Sequence, residues 1–300
     1  MPQFLFSRKK CVPLIIDFHT HIFPGRIVST TMEKLCSASH TRPFSDGTAD
    51  GLRASMKQAG IELSVVMPVA TNPHQVAHVN EASARLNEQG NGLVSFACIH
   101  PDCENWAQEL AHIADMGFAG IKLHPIYQGM DIDDVRFVRI LARAGELGLA
   151  VMTHAGKDIG FPGEDNCTPE MLRRAVMQAG PVQLVAAHMG GWHNWERVGE
   201  NLADLPTVAL DTAYVLGLVR PDPADYYTQQ ERVMLSDEAF MDMVRAFGSK
   251  RIYFGTDSPW RGQKEELDYI CTLPLNAEEK DDILGGNAQR LLKLGGNEDE

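Results

Sequence analysis

The stretch IIDFHTHI, residues 15–22, ends an apolar run in two imidazoles separated by one threonine, with Asp17 two residues before the first of them. On a strand, alternate residues share a face, so Asp17, His19 and His21 are expected to point the same way where the chain leaves the strand. Two neutral imidazoles aimed at one point are half of a zinc site. A polar strand end with two solvated histidines has the same sequence, so the rest of the chain must decide. His124 closes GIKLHP, with Lys122 two residues earlier on the same face. His154 closes VMTHAG, His188 closes VAAHMGG, and Asp257 follows YFGT. A lone histidine at a strand end is ordinary. Five apolar runs that each deliver a His or Asp at their ends point instead to a shared metal site.

The elements that must carry these residues alternate along the whole chain. Continuous apolar runs over 14–19, 62–68, 93–99, 118–124, 149–154, 182–188, 206–211 and 251–256 read as strands covered on both faces, as in a parallel sheet. Amphipathic stretches over 48–59, 75–89, 104–116, 132–147, 169–179, 192–203, 236–247 and 263–272 read as helices. Several of them end in a Gly that leads almost directly into the next strand, as in KQAGIEL and GELGLAVM. Eight strand–helix units in about 250 residues match a (β/α)8 TIM barrel of the α/β class, whose sites lie at the C-terminal strand ends. No GxGxxG follows a strand, which disfavours the doubly wound alternative. One barrel over 1–294 and a mobile acidic tail over 295–300 are expected. Two long connections, 22–47 and 212–235, are expected to lie over the barrel mouth and to set substrate choice.

The 300 residues are 44% hydrophobic and carry a net charge of −13, enough for a large core and unsuited to a nucleic-acid or anionic-membrane surface. The longest apolar runs fall short of a membrane span. The first residues place their charges after a short apolar piece, the reverse of a secretory signal. Six cysteines without a CxxC pair fit a reducing cytoplasm and no disulfide framework. CIHPDC offers Cys98, His100 and Cys103 to a metal, but a buried Cys followed by a proline turn is the simpler reading.

DFHTHI, THAG, AHMGG and FGTDSPW together resemble the amidohydrolase superfamily over nearly the whole chain, and within it the branch of aminocarboxymuconate-semialdehyde decarboxylase. The GGNAQRLLKL ending is also similar to that branch, in which Asn287 and Arg290 are structural. The resemblance implies His19, His21, His154 and Asp257 as ligands of one divalent metal, with His188 as the neighbouring acid/base or substrate-polarising group. Zinc suits three imidazoles and a carboxylate first, with manganese, iron and cobalt as alternatives. Asp257 can also take a proton from bound water. Asp17 reads either as a residue supporting the ligands or as a polar plug held by backbone amides. In binuclear members a carboxylated lysine on the fourth strand bridges two metals. Lys122 lies on that strand, but His124 follows it at the outer rim. Lys122 therefore reads as a buried cation paired with an acid or touching substrate, and His124 as a substrate contact or additional ligand.

Arg42 and Arg261 are each suited to a substrate carboxylate or to an ordinary surface role. Trp192 and Trp195 fit helix packing better than a substrate platform. The chemistry implied is hydrolysis of an amide, lactone or imine-type bond in a small polar metabolite by metal-activated water. The alternative is non-oxidative decarboxylation of a small unsaturated or aromatic acid on the same ligands, and a catalytically silent metal-binding barrel is the third reading. A homodimer is expected, since relatives in this branch are often dimers.

Overall fold

The computed structural model describes residues 14–217 and 219–294, so the acidic tail expected over 295–300 lies outside the described residues. Its strands are β1 (Ile16–Thr20), β2 (Leu63–Val66), β3 (Leu93–Ser95), β4 (Ala97–Cys98), β5 (Gly120–Leu123), β6 (Ala150–Thr153), β7 (Leu184–Ala186), β8 (Val208–Asp211) and β9 (Ile252–Tyr253). All pairings are parallel, in the order β1-β2-β3 and then β4 through β9. The third expected strand is thus interrupted at Phe96, whose N–H still reaches the Val66 carbonyl at 3.0 Å. At the other seam Phe18 N–H donates to Phe254 at 2.7 Å, Asp257 N–H to His19 at 2.8 Å and His21 N–H to Ser258 at 2.6 Å. These bonds join the first strand to the last, as a (β/α)8 barrel requires.

Side-chain alternation divides the core in two. Ile16, Phe18, Leu63, Val65, Phe96, Ala150, Met152, Val185 and Tyr253 pack with one another and with Ala288 and Leu291. The opposite parity, including Ile121, Leu123, Val151, Leu184, Ala186, Val208 and Leu210, packs against the helices through Leu110, Ile140, Leu172, Leu202 and Phe240. Burial on both faces is why these strands read as unbroken apolar runs.

Helices α2 (Ala49–Ala59), α3 (Val76–Glu88), α4 (Trp106–Asp115), α5 (Val135–Glu146), α6 (Pro169–Ala179), α7 (Trp195–Leu202), α8 (Asp237–Phe247) and α9 (Gln263–Thr272) follow the expected positions. Thr48, Asp134, Thr168 and Ser236 cap four of them with side-chain oxygens. The connection 22–47 is not wholly irregular: it holds α1 (Val28–Ser39). Only Met32 and Ser39 of α1 are buried, so it carries almost no apolar stripe for a sequence reading to find. After α9 come α10 (Ala277–Asp281), a π-helical turn and α11 (Asn287–Leu292). Asn287 donates to the Ile252 and Ser249 carbonyls and Arg290 to Asp282, the structural roles expected of them. Among the described residues no helix is long and apolar enough to cross a membrane.

Candidate metal centre

The functional residues sit where the parallel strands end. The chain leaves β1 through a bulge: Asp17 pairs with Ser64 and Thr20 with Val66, three residues advancing against two. The bulge turns Asp17 away from the face on which His19 and His21 meet, whereas one face was expected for all three. Asp17 instead accepts from the Thr256 hydroxyl at 2.6 Å, the Thr256 N–H at 3.0 Å and Gln263 Nε2 at 2.7 Å. It also accepts the His19 N–H at 3.2 Å. Burial pushes its carboxyl up to about 7. Asp17 is the polar plug that fixes the backbone of His19 and of the segment leading to Asp257. Gly255 completes the fit, because a Cβ there would stand 2.8 Å from the Cβ of His19.

The partners of each imidazole fix which nitrogen is bare. His19 Nδ1 lies 2.7 Å from Asp211 Oδ2, and His21 Nδ1 lies 2.9 Å from the Met67 carbonyl. Both partners can only accept, so both Nδ1 atoms carry the proton and both Nε2 atoms present lone pairs. The two Nε2 atoms face each other at 3.2 Å, and Asp257 Oδ1 lies 3.0 Å from His21 Nε2 and 3.6 Å from His19 Nε2. Ligand atoms of one tetrahedral ion are about 3.3 Å apart. Three acceptors at that spacing, with ring N–H groups tied to a carboxylate and a carbonyl, fit a divalent cation. Asp257 adopts φ 65° and His188 φ 58°, left-handed conformations that strain non-glycine residues and gather at functional sites.

Asp211, the last residue of β8, is a member of this site that the sequence reading missed. Its Oδ2 orients His19, while its Oδ1 accepts the N–H groups of His188 at 2.8 Å and Ala213 at 3.1 Å. One fully buried carboxylate therefore ties β1, β7 and β8 together. Asp211→Asn is expected to lower metal affinity or activity about 10–100-fold, the usual cost of losing a carboxylate behind a histidine ligand. Titration against a competing chelator measures this, and an unchanged affinity would remove Asp211 from the site. Lys122 Nζ stands 3.3 Å from His19 Nε2, the same lone pair that faces the cation position. Burial pushes the Lys122 ammonium down to about 8, against the pull of Asp211 and Asp257. Lys122 is thus fully buried, with its ammonium against the His19 ring. Burial and the nearby Lys122 charge drive the His19 imidazolium well below its ordinary range.

His154 stands apart from the first trio. Its Nε2 meets the Lys157 carbonyl at 3.2 Å, which leaves Nδ1 bare, 3.1 Å from His188 Nε2. His188 Nδ1 meets the Ala213 carbonyl at 2.8 Å, so its Nε2 is bare as well. The rings of His19 and His188 have centroids 5.4 Å apart, which brings this second pair of lone pairs beside the first. His124, His154 and Asp158 form another group of donors within 4.8 Å of one another. The His124 and His154 rings, however, are stacked at 4.2 Å and 11°. An imidazole binds an ion in its ring plane, and two nearly parallel planes so separated cannot share one at about 2.0–2.1 Å. The stack therefore serves as a wall of the site. Burial lowers both imidazolium pKa values strongly and raises the Asp158 carboxyl to about 6.

The remaining candidates fall outside the centre. Arg42 pairs with Asp222 at 2.8 Å, and the buried Arg261 pairs with Glu266 at 2.7 Å and with the Leu216 carbonyl. Trp192 precedes α7 and packs with Tyr214 and Val219, while Trp195 Nε1 holds the His188 carbonyl at 2.9 Å. Cys98 is buried, its thiol pushed up by desolvation, and Asn80 clamps its backbone N–H at 2.8 Å and carbonyl at 3.0 Å. Cys98, His100 and Cys103 form no ligand group among the described residues.

The chain is similar to 2-amino-3-carboxymuconate-6-semialdehyde decarboxylase of Dictyostelium discoideum, with 27% identity over 251 residues, 75% of this chain and 66% of that protein. The match thus spans slightly less than two thirds of that relative's length. Among solved structures, an uncharacterized TIM-barrel protein from Bordetella bronchiseptica superposes with a TM-score of 0.70 at 21% identity, covering 94% of this chain and 99% of that one. The 5-carboxyvanillate decarboxylase of Novosphingobium aromaticivorans, complexed with manganese and 4-hydroxy-3-methoxy-5-nitrobenzoic acid, gives 0.67 at 14% identity, covering 94% and 96%. These two likenesses establish the barrel fold. Residues 16–294 match the family model described as Amidohydrolase, and the chain belongs to that family.

Proposed function

We propose that the chain is a metal-dependent carboxy-lyase that removes CO2 without oxidation from a small unsaturated or aromatic carboxylic acid. The observation that carries this reading is the convergence of bare His19 Nε2, His21 Nε2 and Asp257 Oδ1 at 3.0–3.6 Å beside the bare nitrogens of His154 and His188. The likeness to proteins named as decarboxylases favours lyase chemistry over the hydrolysis expected first from the sequence. A divalent ion would be held by His19, His21 and Asp257, with His154 as the fourth ligand we propose, and would supply positive charge for substrate oxygens. The donor set suits zinc first.

In this reading the bond between the substrate carbon and its carboxylate breaks, and its electron pair stays on that carbon. His188, with Nε2 bare, takes up a proton as a substrate hydroxyl binds and returns it to the vacated carbon. Asp257, beside His19 and His21, would help to hold the cation and would serve as a second proton acceptor. The buried surroundings keep competing water away from the carbanion-like carbon. Incubating metal-loaded protein in D2O with a panel of hydroxybenzoates and unsaturated diacids tests the proposal. The expected result is CO2 release with one deuterium at the vacated carbon. Turnover of lactones or N-acyl compounds with no CO2 from any acid would replace this reading by hydrolysis.

A further inference from the structure

The orientation of the His188 ring depends on the loop that follows β8. Ala213 in that loop offers the carbonyl that meets His188 Nδ1 at 2.8 Å and so leaves Nε2 bare. The next residues carry strain. Tyr214 adopts φ 56° and Gly217 φ 74°, and a side chain as bulky as tyrosine holds the left-handed region only where its surroundings compel it. Arg261 supplies part of that compulsion. It stands on the turn that begins at Asp257, whose carbonyl accepts the Trp260 N–H at 2.9 Å. From there its guanidinium donates to the Leu216 carbonyl and, through Nε at 2.7 Å, to Glu266. Its Cζ lies 5.4 Å from the centre of the Tyr214 ring. A Cβ on Gly217 would stand 2.6 Å from Arg261 Nη2, so glycine at that position leaves the guanidinium its room. Arg261 is 5% and Glu266 4% exposed. A buried ion pair adds little net stability, because desolvating both charges offsets their attraction. What the planar fork does provide is one fixed geometry between the turn of Asp257 and the loop of Ala213.

We propose that Arg261 and Glu266 are a positioning pair, which holds the loop 213–217 so that the Ala213 carbonyl keeps the His188 ring turned with Nε2 toward the substrate. Neither residue touches the reacting atoms, and both act through His188. A shift of about 1 Å in a catalytic group costs on the order of 10²-fold in rate, so a clamp one loop away governs turnover without meeting substrate. This inference rests on the reading of His188 as the proton carrier.

The test uses Arg261→Met combined with Glu266→Leu, which replaces the pair with apolar side chains of similar size and strands no buried charge. Nitrogen NMR of zinc-loaded protein, isotope-labelled in its histidine rings, gives the first readout. The His188 Nδ1–H signal is identified by its loss in His188→Asn. In the double variant it should exchange with solvent at least about 10-fold faster, while the His19 and His21 ring N–H signals and the zinc content stay as in the wild type. Turnover should fall about 10–100-fold with KM little changed. Adding His188→Asn to the double variant should cost nothing beyond what His188→Asn costs alone, since groups that act as a unit are not additive. An unchanged His188 signal, or losses that multiply, overturns the proposal and leaves the carboxy-lyase reading standing. If the wild type releases no CO2 from any acid, that reading fails, while the ring signal still decides whether the pair positions His188.

Discussion

Asp257→Asn is expected to lower turnover by about 10²–10⁴-fold, the range for removing a positioned acid/base group, while leaving the barrel folded. The carboxylate lies 3.0 Å from one bare imidazole nitrogen and 3.6 Å from the other, and an amide in its place offers those positions no charge. The backbone of this residue also closes the barrel, through its N–H to the His19 carbonyl at 2.8 Å, and that bond does not depend on the side chain. Metal content should therefore fall with activity while the unfolding temperature changes little. An Asp257→Asn enzyme with wild-type turnover would place the chemistry elsewhere.

The second large effect separates ligand from catalyst. His154→Ala is expected to lose bound metal and activity together, because it removes one of four proposed protein ligands. His188→Asn should keep its metal and lose about 10²–10⁴-fold in turnover, as a proton carrier would. The geometry makes this a sharp comparison, since the two rings offer bare nitrogens only 3.1 Å apart. Elemental analysis of both purified variants decides it. Equal loss of metal from both would make His188 a ligand and leave the proton transfer to Asp257.

Much of this was legible because a buried parallel strand that ends in a polar residue breaks its own pattern. His19, His124, His154 and His188 each end such a run, and Asp257 follows one, all at the rim. Asp211 ends β8 in the same way and signals as clearly, but as a single Asp without a motif around it. The position of Asp17 was not legible, because a bulge adds one residue to a strand without any mark in its composition. The sequence left both roles of the arginines open. Arg261 meets Glu266 five residues later, and nothing in that spacing distinguishes an internal ion pair from a substrate clamp.

The central claim is that one divalent ion belongs among His19, His21 and Asp257. Elemental analysis of metal-replete protein tests it most directly, read beside the activity of the same sample before and after chelation. The account predicts close to one divalent ion per chain, with activity lost on its removal and restored on its return. Two ions per chain with a carboxylated Lys122, or an active protein that binds none, would contradict it.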